Sequence, residues 1–228
     1  MENEQPILIT GAARSGTSLV AGIVHLCGAF GGKLAGPNAS NKKGMFENRE
    51  IRNTITKPFL TSIGADKMGQ KPLPDRALIT TIAQTQAIDW RRRVMAILFN
   101  DGYQIGIFFY KGAKICLMWS MWHAAFPNAH WIVVRRDDES IIDSCMFTPF
   151  MRAYKDRKGW QSWIDEHKQC FTEMANAGLK MRTIWSNDII SGRFGDIQGA
   201  VEWAGLKWDE KAVRKFVDPT LFHVKQRS

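Results

Sequence analysis

The segment Gly11-Ala-Ala-Arg-Ser-Gly-Thr-Ser18 carries the clearest chemistry in the chain. Its Gly-x4-Gly frame is that of a phosphate-binding loop, in which backbone N–H groups and the positive end of the following helix point at an anion. In an ATP-binding loop of this frame a lysine follows the second glycine, and Thr17 stands there instead. The cation is Arg14, inside the loop, whose planar guanidinium can grip two oxygens at once. A second basic group lies further on, where an apolar run ends in Arg135 and Arg136 before a helical pattern. Taken singly, a glycine-rich turn needs no ligand and Arg136 suits a solvated surface.

Such groups need a frame to hold them. Pro6–Thr10 predicts a strand, Gly11–Gly16 a loop and Thr17–Phe30 a buried helix. A Gly-, Asn- and Lys-rich loop follows over Gly31–Gly44, then helices at about Glu47–Ile63 and Asp75–Asn100, the first kinked or divided by Pro58. Ile105–Tyr110, His130–Val134 and Lys180–Trp185 predict further buried strands separated by helices, one of which ends near Gly178. The alternation implies an α/β fold, a P-loop three-layer α/β/α with a central parallel sheet of about four to five strands. Ligands are expected at the carboxyl ends of those strands. No repeat or linker divides the chain, so residues 1–228 are read as a single domain.

Composition sets outer bounds. The chain has 228 residues, 45% hydrophobic, with nine Trp and thirteen Phe, which argues against a disordered or low-complexity protein. A formal net charge of +9 favours anionic partners without choosing among nucleic acid, membrane surfaces and polyanionic nucleotides. Arg91, Arg92 and Arg93 read as a solvated helix face. Cys27, Cys116, Cys145 and Cys170 form no CxxC pair, so no zinc site or disulfide framework is suggested and reduced thiols are expected. The acidic start MENEQPILIT lacks the basic, then apolar, pattern of an export signal, and no apolar run reaches membrane-spanning length. A cytoplasmic protein with no membrane partner is expected.

The motif RSGTS after an apolar strand resembles the donor-binding loop of the P-loop sulfotransferase superfamily, including its bacterial branch. That resemblance implies transfer of a sulfuryl group from PAPS (3′-phosphoadenosine 5′-phosphosulfate) to a hydroxyl or amine of a small-molecule or carbohydrate acceptor, leaving PAP (adenosine 3′,5′-bisphosphate), with no metal. Arg14, Ser15, Gly16, Thr17 and Ser18 would hold the 5′-phosphosulfate. Arg136 and Ser144 would bind the 3′-phosphate, as an Arg at a strand end and a Ser eight positions on do in the family. Relatives often have Pro where this chain has Asp138, so Arg135 is a second candidate for the role of Arg136. NKKGMFENREI (Asn41 to Ile51) and VDPTLFH (Val217 to His223) are similar to further family segments. Where many relatives have Lys-Asp-Pro-Arg, this chain departs with Lys111-Gly-Ala-Lys114.

Sulfuryl transfer asks for a base near Arg14 and for stabilisation of the leaving oxygen. Glu47, in GMFEN, matches the place of a catalytic Glu in carbohydrate sulfotransferases; a plain helix N-terminal Glu is the rival reading. His123 is the second candidate base, placed after the middle helix, while His25 reads as a packed residue. Trp119 and Trp122 either line an acceptor pocket or belong to the core. A P-loop small-molecule or nucleoside kinase is the alternative, but it wants a Lys at Thr17 and an Asp closing an apolar strand. A nucleotide-binding relative without turnover is a further alternative. A nucleic-acid module is not favoured, because no recognition motif accompanies the charge.

Overall fold

The structure is a computed structural model that describes residues 4–38 and 41–221. Four parallel strands form the sheet: β1 (Ile7–Thr10), β2 (Phe109–Lys111), β3 (His130–Arg135) and β4 (Met181–Trp185), in the order β2-β1-β3-β4. Period-two alternation sends successive side chains to opposite faces, and both faces are covered. On one face Leu8, Tyr110, Trp131 and Val133 pack with α3 (Arg76–Asn100), α4 (Trp119–Ala125) and α6 (Arg157–Asn176). On the other, Ile7, Ile9, Phe109, Ile132, Val134 and Ile184 meet α1 (Thr17–Leu26), α8 (Gly195–Trp203) and α9 (Glu210–Phe216). The architecture is therefore three layers, α/β/α, around a parallel sheet.

The connections matter most for the site. The chain leaves β1 to form β2 on one side, then crosses back so that β3 lies on the other side of β1. Ligands of such sheets bind where the connections part, and a small pocket lined by Ala12, Ser15, Val134 and Arg136 lies there, beyond the carboxyl ends of β1 and β3. Thr10 stands in register with Val133, so the residues after each strand emerge side by side.

Several boundaries differ from the sequence pattern for local reasons. The strand expected over Ile105–Tyr110 runs instead from Phe109 to Lys111, because Gly106 turns the chain with a positive φ and Ile105 is almost wholly exposed. Helix α1 stops at Leu26 rather than Phe30, where Gly28 at φ 104° adopts a conformation suited to glycine. The helix expected from Glu47 is a π-helical turn over Ile51–Thr56 that continues as α2 (Lys57–Ser62), with Pro58 in its first turn. Asn48 caps it, its Oδ1 accepting from the backbone N–H of Glu50 and of Ile51, both at 3.1 Å, which leaves Glu47 outside the helix. α3 matches closely: Asp75 caps it by accepting from Ala77 and Leu78. Phe222 and His223 of the C-terminal segment, and residues 39 and 40 of the Gly31–Gly44 loop, lie outside the described residues.

Candidate active site

The loop from Gly11 to Gly16 starts at the carboxyl end of β1 and feeds α1. Gly11 is dictated by close approach, since a Cβ there would lie 2.4 Å from the Val134 carbonyl oxygen and 2.7 Å from Ser15 Oγ. Arg14 has φ 75°, a left-handed conformation that costs a non-glycine residue about 1–2 kcal/mol, and its side chain is thereby turned toward β3 and the segment after it. Ser15 is buried, and its Oγ has no hydrogen-bond partner among the described residues. Gly16, at φ 100°, begins α1, and Thr17 and Ser18 form its first turn. Ser18 Oγ donates to the Met45 carbonyl at 3.2 Å, tying this turn to the segment that carries Glu47.

Two residues far away in sequence meet the loop. Arg14 Nε donates to Ser144 Oγ at 2.8 Å, across 130 residues, and Arg136 Nη1 donates to the Arg14 carbonyl at 3.3 Å, across 122. Ser144 lies in α5 (Asp138–Phe147), the helix that follows β3, so the strand-to-helix segment delivers both. Burial pushes both guanidiniums below their ordinary pKa; at Arg136 the Arg14 charge adds to this and Asp137 opposes it. Two cations held this close, partly out of water, stabilise an anion placed between them. Arg135 lines the same small pocket as Ser15 and Arg136, while its guanidinium stacks on Phe171 and Trp185, each ring centroid 5.5 Å away. Asp137 accepts from the Ser140 N–H at 2.8 Å and caps α5, so the acid nearest the strand end is committed to the helix.

Glu47 is the centre of a second cluster that composition and spacing did not reveal. It is buried, with its carboxylate 3.6 Å from Arg52 Nη1 and 3.7 Å from Lys114 Nζ. Burial alone would raise the Glu47 pKa, but the charges of Lys114, Lys111, Arg52 and Lys57 outweigh it and hold the carboxyl below its ordinary value. Lys111, at the end of β2, is itself buried, which pushes its ammonium pKa down against the attraction of Glu47. The cluster abuts the loop. Gly112 N–H donates to the Ile9 carbonyl at 3.0 Å, Thr10 Oγ1 donates to the Gly112 carbonyl at 3.2 Å, and a Cβ on Gly112 would lie 3.6 Å from Glu47 Oε1. Lys111-Gly-Ala-Lys114 is thus two buried cations on a turn braced against β1. Lys111 and Lys114 stand out in the sequence, but their burial beside Glu47 was not legible while the strand was read as ending at Tyr110.

The remaining candidates fall outside these contacts. His123 lies within α4 rather than after a helix; α4 packs along α3, and burial lowers the imidazole pKa. Among the described residues, His123 takes no part in the hydrogen bonds and ion pairs of either cluster. Trp122 belongs to the core, stacked on Tyr110 with centroids 4.8 Å apart. Trp119 instead lines an open cleft of about 510 Å³ with Pro74, Asp75, Arg76, Thr80 and Glu173. His25, at the end of α1, sits beside Phe46 and Phe109.

No protein-family model matches the chain, and no curated protein does. Among solved structures, the chain is similar to the sulfotransferase STF1 from Mycobacterium tuberculosis H37Rv in its type 1 form. The likeness covers 94% of this chain and 70% of that one, at 13% identity and a TM-score of 0.48. At that distance it bears on neither activity nor site residues. Among the described residues no helix is long and apolar enough to cross a membrane.

Proposed function

We propose that the protein is a sulfotransferase that takes PAPS as donor and a hydroxyl or amine of a small acceptor. The observation that carries this reading is the convergence of Arg14, Arg136 and Ser144, from two distant segments, at one end of α1. The residues present suit a phosphosulfate donor: Ser15 Oγ is buried with no hydrogen-bond partner among the described residues, and the loop that holds it feeds the N-terminus of α1, where backbone N–H groups favour an anion. Ser15 to Ser18 and Arg14 would hold the 5′ end, and Arg136 with Ser144 the 3′-phosphate. When bound, PAPS supplies the sulfuryl group, which leaves the nucleotide's phosphate oxygen as the acceptor oxygen or nitrogen takes it.

The chain's own part is charge placement and proton removal. Arg14 offers fixed positive charge to the departing oxygen without a metal. Glu47, kept ionised by its cations, is assigned as proton acceptor; an anion that takes Lys114 or Arg52 as a partner would make it more basic. Asp137, occupied as the cap of α5, does not fit the role of the magnesium-binding acid in the kinase alternative.

Calorimetry with PAP and AMP on the protein and on Arg136→Ala tests the reading. Hydrogen bonds to charged groups are worth about 1.5–3 kcal/mol, so Arg136→Ala should weaken PAP by about ten- to a hundredfold and leave AMP nearly unchanged. A surface arginine acting through net charge would weaken both anions slightly and equally. EDTA should leave PAP binding intact. Nucleotide binding that is abolished by EDTA and restored by magnesium would replace this reading with a kinase.

A further inference from the structure

The charges gathered at Glu47 do not balance. Arg52 and Lys114 reach its carboxylate at 3.6 and 3.7 Å, and further cations stand behind them. The π-helical turn brings Lys57 round to Arg52, with the Lys57 N–H donating to the Arg52 carbonyl. Burial pushes the Lys57 pKa down, and the charges of Arg52, Lys114 and Lys67 push it further against the attraction of Glu47. Lys67 belongs to the segment 66–70, which packs over Lys114, where a Cβ added to Gly69 would come within 3.0 Å of the lysine Cβ. The acid of that segment is spent on its own backbone: Asp66 Oδ2 accepts from the N–H of Met68 at 3.1 Å and of Gln70 at 2.9 Å.

Lys111 completes the set and is its innermost member. It is 4% exposed, yet among the described residues its ammonium donates no hydrogen bond and stands in no ion pair. Its surroundings are charged all the same, since Glu47 attracts it while Lys114 and Arg52 repel it. Arg52, Lys57, Lys67, Lys111 and Lys114 therefore share one carboxylate, and the most deeply buried ammonium of the set lacks a direct partner. A cation taken out of water is stable when an anion or acceptor meets it, and Glu47 cannot meet five. The arrangement is short of negative charge at a place that a ligand can supply.

We propose that this cluster receives an anionic group on the acceptor, so that the preferred substrate is a hydroxyl compound carrying a carboxylate, phosphate or sulfate. The proposal rests on the sulfotransferase reading of the same site. That reading assigns the donor's anionic groups to the loop after β1, Arg14 and Arg136, and the Gly112 turn sets the Glu47 cluster beside that loop. An acceptor anion that draws Lys111 and Lys114 to itself loosens their hold on Glu47 and leaves the carboxylate readier to take a proton. A neutral acceptor leaves Glu47 as it stands. In the reaction the acceptor oxygen forms its bond to sulfur as the bond from sulfur to the nucleotide's phosphate oxygen breaks. The hydroxyl proton passes to Glu47 and PAP departs.

Matched acceptors test this with PAPS as donor: para-hydroxyphenylacetate against its amide, and glycerol phosphate against glycerol. The anionic member of each pair should have the higher kcat/KM, by about ten- to a hundredfold, as expected for a hydrogen bond between charged groups. Calorimetry on the PAP-bound protein should show the same preference in affinity. Lys111→Met removes the buried ammonium at similar length and should cut the preference about tenfold. PAP affinity and melting temperature should hold, because an apolar side chain in place of a buried charge is typically neutral or stabilising. Lys57→Gln, at a half-buried position, should cut the preference by up to about fivefold. The proposal is overturned if the neutral members are equal or better acceptors, or if both variants keep the preference. It is also overturned if Lys111→Met weakens PAP as much as the anionic acceptor, or if neither anionic compound binds the PAP complex. Failure of PAP to bind the unsubstituted protein is a different result, which removes the sulfotransferase reading on which the proposal rests.

Discussion

Glu47 is surrounded by more positive charge than it neutralises, and that decides how its removal would be felt. Arg52 and Lys114 are its ion-pair partners, and Lys111 and Lys57 act on it from slightly further away. Taking one partner from a buried pair typically costs about 3–5 kcal/mol, because the other charges remain in the interior. Glu47→Gln should therefore lower thermal stability and, per folded molecule, lower turnover by about a hundred- to ten-thousandfold with PAP affinity kept. Its pH signature has a definite sign. The folded-state pKa is depressed, so the stabilisation from Glu47 is present above its ordinary value of 4.5 and is lost as pH falls through the lower folded value. A urea titration series should show that acid loss in the protein and a shallower one in Glu47→Gln. Unchanged turnover in the variant would remove Glu47 from the mechanism. Arg14, Arg136 and Ser144 were legible as residues because a motif and a helical spacing name them. The cluster around Glu47 was not: Arg52 and Lys57 follow it closely in sequence, but Lys111 and Lys114 come from the far end of β2 and join them only when β2 docks on β1.

At the scale of elements, α6 shows how a helix can carry a titration of its own. His167 is buried on its inner face, with Nδ1–H donating to the Trp163 carbonyl at 2.8 Å and its ring against the Trp163 indole. Burial lowers its pKa to about 4, with Arg76 adding to this and the Trp163 contact and Glu166 opposing it. The unfolded chain takes up that proton near pH 6.5, so stability should fall as pH drops from 6.5 toward 4, by about 3 kcal/mol from this group. Chemical denaturation across that range should show the loss in the protein and a flatter profile in His167→Gln. Identical slopes would mean that His167 is not buried neutral. Elements with a cap and a long periodic face, such as α3 behind Asp75, were readable to within a residue. β2 was not: its apolar residues begin before Gly106 breaks the extended chain, and it ends on a buried lysine that hydrophobic patterning counts as outside.

For the whole molecule, the strand order β2-β1-β3-β4 gathers segments that are remote in the chain at one edge of the sheet. The loop after β1, the turn after β2 and the residues after β3 all abut there, so a ligand held by them restrains much of the fold at once. Alternation of apolar strands and helices was enough to anticipate the parallel sheet and its two helical layers. It did not specify that β1 would lie between β2 and β3, since order within a sheet is set by packing between elements rather than by any one segment. The ligand linkage makes a measurable claim. A ligand that binds only the folded state adds about 2.7 kcal/mol at a hundred times its dissociation constant, and about 2–4 °C accompanies each kcal/mol in a domain of this size. PAP at that excess should raise the melting temperature by about 5–10 °C, with or without EDTA. AMP at the same concentration should raise it much less, because it has no 3′-phosphate for Arg136 and Ser144 to hold. The difference between the two nucleotides should shrink in Arg136→Ala. Equal shifts from PAP and AMP in the unsubstituted protein would mean that the convergence of Arg14, Arg136 and Ser144 holds the fold together without reading the nucleotide.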